Sequence, residues 1–223
     1  MRISNLTLYT NKLKEEQSFY SSDLGFELIE ENRDSFTVQI GWSRLTFRFS
    51  PNSHRYHYCF MIPPNQLDEA MRWMEQRVEI LEIETGRKVQ RFESWNAKSF
   101  YFYDASGNLA EFIARYDLKE HEAEGEFSHS QVLCVNEIGI PTADVRATNT
   151  SFEHRFGTKF WKGDFQRFGT NGSQEGLFLL PNYHVKKTWF PTEMNVTVEP
   201  LEVTFQNGEN NFVLKVTEGQ IGG

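Results

Sequence analysis

The chain has 223 residues, a length that allows one large domain or a pair of small ones. Hydrophobic residues make up 39% of it and aromatic residues 15%, with 20 Phe but only 7 Pro and 15 Gly, so a disordered, collagen-like or coiled-coil chain is excluded. Its 23 Lys and Arg stand against 31 Asp and Glu, and the formal net charge of −8 argues against nucleic acid and anionic membrane surfaces as partners.

The sequence carries no secretion or membrane signal that we recognise. The N-terminal residues Met-Arg-Ile-Ser-Asn turn polar at once, unlike a signal peptide. No apolar run approaches the roughly 20 residues that a membrane-spanning helix needs. Cys59 and Cys134 lack Cys-x-x-Cys spacing, which favours two buried thiols over a disulfide or a catalytic pair. We therefore expect a cytoplasmic protein with no membrane partner.

The first predicted elements are a strand, a helix and three further strands. Residues 2–9 alternate as a strand does, and the helix that follows begins after Asn11 and ends at Gly25. Turn-forming residues separate the three later strands, which are predicted at 26–31, 35–40 and 44–49. Together these elements form one βαβββ unit.

The same order begins again after residue 53. A strand at 56–62 leads into a helix that starts near Pro64 and carries apolar residues at helical spacing. Three more strands are predicted at 79–83, 99–103 and 109–114. Two βαβββ units therefore occupy residues 1–117, which we predict to be one domain.

A third unit follows a polar connector at 118–131. The segment that begins near residue 135 matches the first unit at a constant offset of 132 residues, which aligns Glu137 with Asn5 without a gap. Beyond residue 181 the copy degenerates into two predicted strands with no helix between them. We predict a partial, divergent second domain of the same type at 132–223.

Several short motifs occur in these units in a fixed order. They are Ile-Ser-Asn-Leu-Thr-Leu-Tyr at 3–9, Ser-Phe-Tyr and Leu-Gly-Phe within 18–26, Tyr-His-Tyr-Cys-Phe at 56–60, Asn-Gln-Leu-Asp-Glu-Ala at 65–70, and Phe-Tyr-Asp-Ala-Ser-Gly-Asn-Leu-Ala-Glu-Phe at 102–112. Their order and spacing resemble the vicinal-oxygen-chelate superfamily, which includes glyoxalase I, extradiol dioxygenases, fosfomycin-resistance enzymes and bleomycin-resistance proteins. The resemblance covers residues 1–117 well and residues 132–180 less closely.

The resemblance implies an α+β fold in which paired βαβββ modules form a cup-shaped mixed sheet, here with a partial second copy. It also implies a divalent metal inside the cup, which could be Fe, Mn, Ni, Co or Zn. Carried onto this chain, the metal ligands of the family fall on Asn5, His57 and Glu111. Asn5 departs from the family, whose metal-binding members usually carry His, Glu or Gln there, and a neutral amide is a weaker ligand.

Each of these residues also has a structural interpretation. His57 can be a hydrogen-bonded interior histidine, and Glu111 can be a remnant of the turn motif that precedes it. Glu137 occupies the Asn5 place in the third unit, where a carboxylate on an inward strand position is costly to bury without a partner or a metal. Glu137 is therefore an alternative metal ligand, or it is solvated at the mouth of a second cup.

Two classes of function follow, and whether the protein is an enzyme stays open between them. The first is a metal-dependent glyoxalase-like or dioxygenase-like enzyme that acts on a small oxygen-rich or aromatic molecule by isomerisation or ring cleavage. The alternative is a metal-free protein that binds a small molecule, as bleomycin-resistance proteins do. Aromatic residues on the predicted strands would line an apolar pocket in either case. The sequence has no glycine-rich phosphate loop, so we expect no nucleotide cofactor, and a homodimer is as compatible with it as a monomer.

Overall fold

The computed structural model describes residues 1–217 and the backbone of residues 220–222. Residues 218, 219 and 223, at the end of the predicted 132–223 domain, lie outside the described residues. In chain order the elements are β1 (Arg2–Thr10), α1 (Leu13–Gln17), a π-helical turn (Ser18–Asp23), β2 (Leu28–Glu31), β3 (Ser35–Ile40), β4 (Ser43–Phe49), β5 (His57–Ile62), α2 (Leu67–Glu75), β6 (Gln90–Phe92), β7 (Ala97–Tyr103), β8 (Leu109–Arg115), β9 (Cys134–Gly139), α3 (Val145–Phe156), β10 (Phe160–Gly163), β11 (Phe168–Ser173), β12 (Gly176–Pro181), β13 (Leu201–Asn207), β14 (Asn210–Thr217) and β15 (Gln220–Gly222).

The strands form two curled mixed sheets. One sheet has seven strands in the order β15-β14-β13-β1-β4-β3-β2, and the other has eight in the order β10-β11-β12-β9-β5-β8-β7-β6. In the eight-stranded sheet, the antiparallel pair of β5 with β9 joins two βαβββ units. In the seven-stranded sheet, the antiparallel pair of β1 with β13 joins the first unit to the three C-terminal strands, between which the described residues form no helix. The predicted α+β fold of paired βαβββ modules, with a partial further copy, is confirmed.

The predicted domain boundaries do not follow these sheets. A domain at 1–117 would pair the first unit with the second in one cup. In the structure, the second unit shares the eight-stranded sheet with the third, while the first unit shares the seven-stranded sheet with β13, β14 and β15. The partner of each unit is set by the antiparallel contacts of β5 with β9 and of β1 with β13, which join residues far apart in the chain.

One face of each sheet packs into a shared apolar core. Because side chains alternate along a strand, Tyr58 and Phe60 on β5 and Phe112 on β8 point to the same side, where all three are fully buried. Leu6 and Leu8 of β1 enter the same core from the other sheet. The opposite face of the eight-stranded sheet carries the predicted ligands His57 and Glu111, together with Glu137.

The helix ends follow the sequence, whereas one predicted strand does not. Gly25 adopts a positive φ of 77° where the first helical segment ends, as its lack of a Cβ atom permits. The strand predicted at 79–83 is wrong, because this stretch makes only scattered backbone bonds, such as Leu81 N–H to the Tyr101 carbonyl oxygen at 2.9 Å. Cys59 and Cys134 are free and buried, as predicted. Among residues 1–217 and 220–222, we find no helix with the length and apolarity needed to cross a membrane.

Candidate metal centre in the cup

Strand register places four chemically reactive side chains in one row. Tyr101 of β7 is opposite Glu111 of β8, Glu111 is opposite Cys59 of β5, and Cys59 is opposite Glu137 of β9. Residues paired across neighbouring strands point to the same face of a sheet. We call this face of the eight-stranded sheet the cup.

His57 lies two residues before Cys59 on β5 and therefore on the same face. Its Nδ1 atom is 3.0 Å from the Leu109 carbonyl oxygen, so we place the ring proton there, with Nδ1–H donating to that carbonyl. The other ring nitrogen, Nε2, is 3.5 Å from Glu111 Oε2. Burial lowers the pKa of His57 to about 4, so its ring is neutral near pH 7. The lone pair of Nε2 is consequently directed toward Glu111.

Burial raises the pKa values of the acidic groups in the cup. One donor atom each from Cys59, Glu111 and Glu137 lie within 4.8 Å of one another, and all three residues are buried. Burial, and then the charge of Glu137, raise the pKa of Glu111 to about 8. Burial also raises the pKa of Glu137 and, by a large amount, that of the Cys59 thiol. Glu111 is therefore mostly a neutral acid at pH 7.

Arg115 supplies the positive charge that Glu137 needs. It lies four residues after Glu111 on β8, is fully buried, and forms an ion pair with the Glu137 carboxylate. Its Nε–H donates to Asn136 Oδ1 at 2.9 Å, while Nη1 has no hydrogen-bond partner. We missed Arg115 in the sequence, although its spacing from Glu111 places it on the same strand face.

His57, Glu111 and Glu137 line a cavity of about 370 Å³, and we call this part of it the floor. Its walls are largely aromatic, which suits a small flat ligand. The charged or amide side chains at its edge are Gln90, Arg167 and Lys186, and the apolar and aromatic ones are Phe92, Trp95, Tyr101, Phe168, Leu179, Trp189 and Phe190.

An irregular segment at 182–200, which we call the strap, closes one side of the cavity. The Trp189 ring lies over His57 with ring centroids 4.7 Å apart, and Phe190 meets Tyr101 edge to face at 5.9 Å. A Cβ atom on Gly139 would lie only 2.7 Å from the Trp189 ring. Gly139 therefore provides the space in which Trp189 sits. The residues around Trp189 show neither helical nor strand spacing, so their contribution to the cavity was not predicted.

The variant G139A should displace Trp189. The added methyl group overpacks a buried contact, so we expect it to lower the free energy of unfolding by about 1–3 kcal/mol. Urea titration and the tryptophan emission spectrum measure the effect. In a W189A background the methyl group has room, and the same substitution should then cost little. An equal cost in both backgrounds would contradict this packing.

The predicted ligand Asn5 does not belong to the cup. It lies on β1 in the seven-stranded sheet, where its amide Nδ2 donates to Thr7 Oγ1 at 3.0 Å and its Oδ1 accepts from Thr46 Oγ1 at 3.2 Å. The carry-over placed Asn5 beside His57 because it assumed that the first two units pair. Since the second unit pairs with the third instead, Glu137 stands where Asn5 was expected.

Comparison with solved structures supports the same architecture. A protein from Bacillus subtilis described as a "putative dioxygenase" matches with a TM-score of 0.58 and 15% identity, covering 82% of this chain and 64% of that one. Glyoxalase I from Zea mays matches with a TM-score of 0.57 and 12% identity, covering 83% of this chain and 69% of that one. The chain thus spans less than two thirds of the Bacillus subtilis protein. No protein-family model and no curated protein matches the sequence. On motifs, topology and these likenesses, the chain has the fold of the vicinal-oxygen-chelate superfamily.

Proposed function

We propose that the cup binds one divalent metal ion through His57, Glu111 and Glu137, and that the protein is a metal-dependent enzyme of the glyoxalase or dioxygenase kind. Its substrate would be a small oxygen-rich or aromatic molecule. Two observations carry the proposal: His57 Nε2 lies 3.5 Å from Glu111 Oε2, and donor atoms of Glu111, Glu137 and Cys59 lie within 4.8 Å of one another. His57, Glu111 and Glu137 all line the same aromatic cavity. Asn5 has no part in it.

The donor set fits a divalent ion. Imidazole nitrogen and carboxylate oxygen together suit Fe, Mn, Co, Ni and Zn. Two buried carboxyl groups face one buried guanidinium, that of Arg115, so the floor lacks a positive charge whenever both acids are ionised. A bound cation would supply it and would displace the proton of Glu111. The Cys59 thiol adjoins the two carboxyl groups and is a fourth donor within reach.

When bound, such an ion would act as a Lewis acid that polarises two neighbouring oxygens of the ligand. Residues of the chain would orient the ligand groups and set their charge. The Leu109 carbonyl fixes the His57 ring so that Nε2 faces the centre. The ion pair with Arg115 favours the ionised form of Glu137, and the strap places the Trp189 ring against His57, which shields this side of the floor from solvent.

A metal-free binding protein is the second candidate. It is favoured by the ion pair between Arg115 and Glu137, together with the contact of neutral His57 with Glu111, because the floor is then electrically neutral without a metal. The aromatic walls would hold an apolar ligand either way.

Metal analysis separates the two candidates. Protein purified without a metal-binding tag is analysed for its elements, then stripped with a chelator and titrated with Mn, Fe, Ni and Zn in a calorimeter, with Fe kept under nitrogen. We expect one ion per chain for at least one metal. If none of the four binds while the folded protein still takes up an aromatic ligand, the enzyme proposal fails and the binding protein remains.

The variant N5H tests the corrected ligand set. Asn5 lies on another sheet and is held by Thr7 and Thr46, so a histidine there should change the metal affinity by less than about twofold. Competition with a chelator of known affinity measures it. A clear gain in affinity would return Asn5 to the site and would contradict the pairing of the units.

A further inference from the structure

Two basic side chains, Arg167 and Lys186, line the cavity. Among the described residues, neither Lys186 nor Arg167 takes part in an ion pair, although both line the cavity. The chain has eight more acidic than basic residues, so a shortage of acidic residues does not explain why these two basic groups form no ion pair. Other basic side chains do find partners, as Lys88 does with Glu75 and Lys215 with Glu202, both at 2.8 Å.

Lys186 is the more informative of the two. It is half-buried on the strap, and its ammonium group donates one hydrogen bond, at 2.7 Å, to the carbonyl oxygen of Thr188. An ammonium group has three N–H donors, so further donors remain. Burial and then the nearby charge of Arg167 lower its pKa, which indicates that two like charges share this edge of the cavity.

Arg167 lies beside Phe168 at the start of β11, where its side chain is exposed. Its guanidinium is planar and offers paired donors that match the two oxygens of a carboxylate. The half-buried charge of Lys186 is costly unless an anion lies against it. The acids of the floor do not form ion pairs with these two side chains, since Glu137 is paired with Arg115 and Glu111 lies against His57.

The aromatic walls of the cavity favour a ligand that contains an aromatic ring. Trp189, Phe190, Trp95 and Tyr101 line the same cavity as the basic side chains, and its volume of about 370 Å³ has room for a single-ring ligand. We propose that the ligand of the cup is a small aromatic acid, whose ring lies between these walls and whose carboxylate meets Lys186 and Arg167. This inference rests on the proposed function, in which the remaining oxygens of the same ligand face the floor.

The test compares two ligands that differ only in charge. Metal-free protein is titrated with 3,4-dihydroxybenzoate and with 3,4-dihydroxybenzamide, which share the ring and the two vicinal hydroxyl groups. Calorimetry gives the affinities, and quenching of tryptophan emission gives an independent reading, because Trp189 borders the cavity. We expect the acid to bind at least about tenfold more tightly than the amide, the effect of one charge-assisted hydrogen bond.

Variants locate the source of the preference. K186M should reduce it to near one, R167M should reduce it in part, and K186R should preserve most of it because the charge remains. Lys187 provides the matched control, since it is an exposed neighbour that does not line the cavity and donates to the Tyr183 carbonyl at 3.1 Å. K187M should leave the preference unchanged. Thermal unfolding confirms that each variant is folded.

Three outcomes overturn the inference: equal affinity for the acid and the amide, no binding of either, or the same loss in K187M as in K186M. The titrations are then repeated with the metal that binds best. A preference for the acid in a protein that takes up no metal supports the inference and defeats the metal proposal. Metal uptake without a preference for the acid does the reverse, so the two failures are distinguishable.

Discussion

Replacing Glu111 with Gln is expected to weaken divalent-metal binding by at least about 100-fold, more than the loss typical of a residue that only supports a ligand. The substitution removes the anionic donor while keeping the length and shape of the side chain. Competition titration with Zn and Ni against a chelator of known affinity measures the change. Among the three proposed ligands, Glu111 is the simplest to interpret when altered, because E137Q would also leave the buried charge of Arg115 uncompensated.

The matched control for this variant is E30Q. Glu30 is an exposed carboxylate on β2 of the other sheet, so its loss should not alter the metal affinity. Circular dichroism and thermal unfolding establish that E111Q retains the fold. Undiminished affinity in folded E111Q would remove Glu111 from the metal site and would defeat the proposed ligand set.

The closeness of His57 and Glu111 could be anticipated from the sequence, because both belong to one βαβββ unit. Their strands, β5 and β8, are parallel neighbours in that unit, and the carry-over from the family needed only the order of elements within it. The distance of 3.5 Å between His57 Nε2 and Glu111 Oε2 fits that expectation. The order of elements within one unit therefore sufficed to predict two of the three proposed ligands.

The third ligand could not be anticipated in the same way, because it depends on which units pair. Asn5 and Glu137 occupy equivalent places in similar units, and the offset of 132 residues reveals the equivalence but not the pairing. Pairing is decided by contacts between β5 and β9, which are far apart in the chain. A single sequence of repeated modules leaves this choice undetermined.

The contribution of the strap and of Lys186 to the cavity also could not be predicted from the spacing of apolar residues. Trp189 and Lys186 lie in a stretch without helical or strand spacing, so nothing local indicates that they face the cup. Their positions follow from long-range packing, as the tight fit of Trp189 against Gly139 illustrates. Residues of this type become visible only once the sheet beneath them is known.

A second pair of buried acids, on the core side of the molecule, has a different role. Glu16 of α1 and Asp104 both accept a hydrogen bond from the Ser106 backbone N–H, at 2.9 and 3.0 Å. Asp104 also accepts from the Tyr58 hydroxyl and, at 2.7 Å, from Asn108 Nδ2, so we assign it the negative charge. The Glu16 and Asp104 carboxyl groups interact with each other, and the second oxygen of Glu16, Oε2, is buried without a hydrogen-bond partner. We therefore assign the proton of this pair to Glu16 Oε2. Burial, and then the charge of Asp104, raise the pKa of Glu16 to about 10.

Replacing Glu16 with Gln is therefore expected to make the protein increasingly more stable than the wild type as the pH rises. In the unfolded chain Glu16 loses its proton near its ordinary pKa of 4.5, whereas in the folded protein it keeps the proton up to about pH 10. Between these values the unfolded state binds fewer protons, so the wild type should lose about 1 kcal/mol of stability per pH unit from this group. A glutamine amide can donate to Asp104 and accept from Ser106 without titrating.

The measurement is the free energy of unfolding in urea at each pH from 5 to 9, for the wild type, E16Q and the control E15Q. Other buried acids, such as Glu111, also make the stability of the wild type depend on pH, but they do so equally in all three proteins. The difference between E16Q and the wild type therefore isolates Glu16, and we expect it to grow with pH. Any cost of fitting an amide shifts that difference by the same amount at every pH. Glu15 is exposed on the same helix, so E15Q should run parallel to the wild type. If E16Q also runs parallel, Glu16 does not hold a proton in the folded protein, and the shared-proton arrangement with Asp104 is wrong.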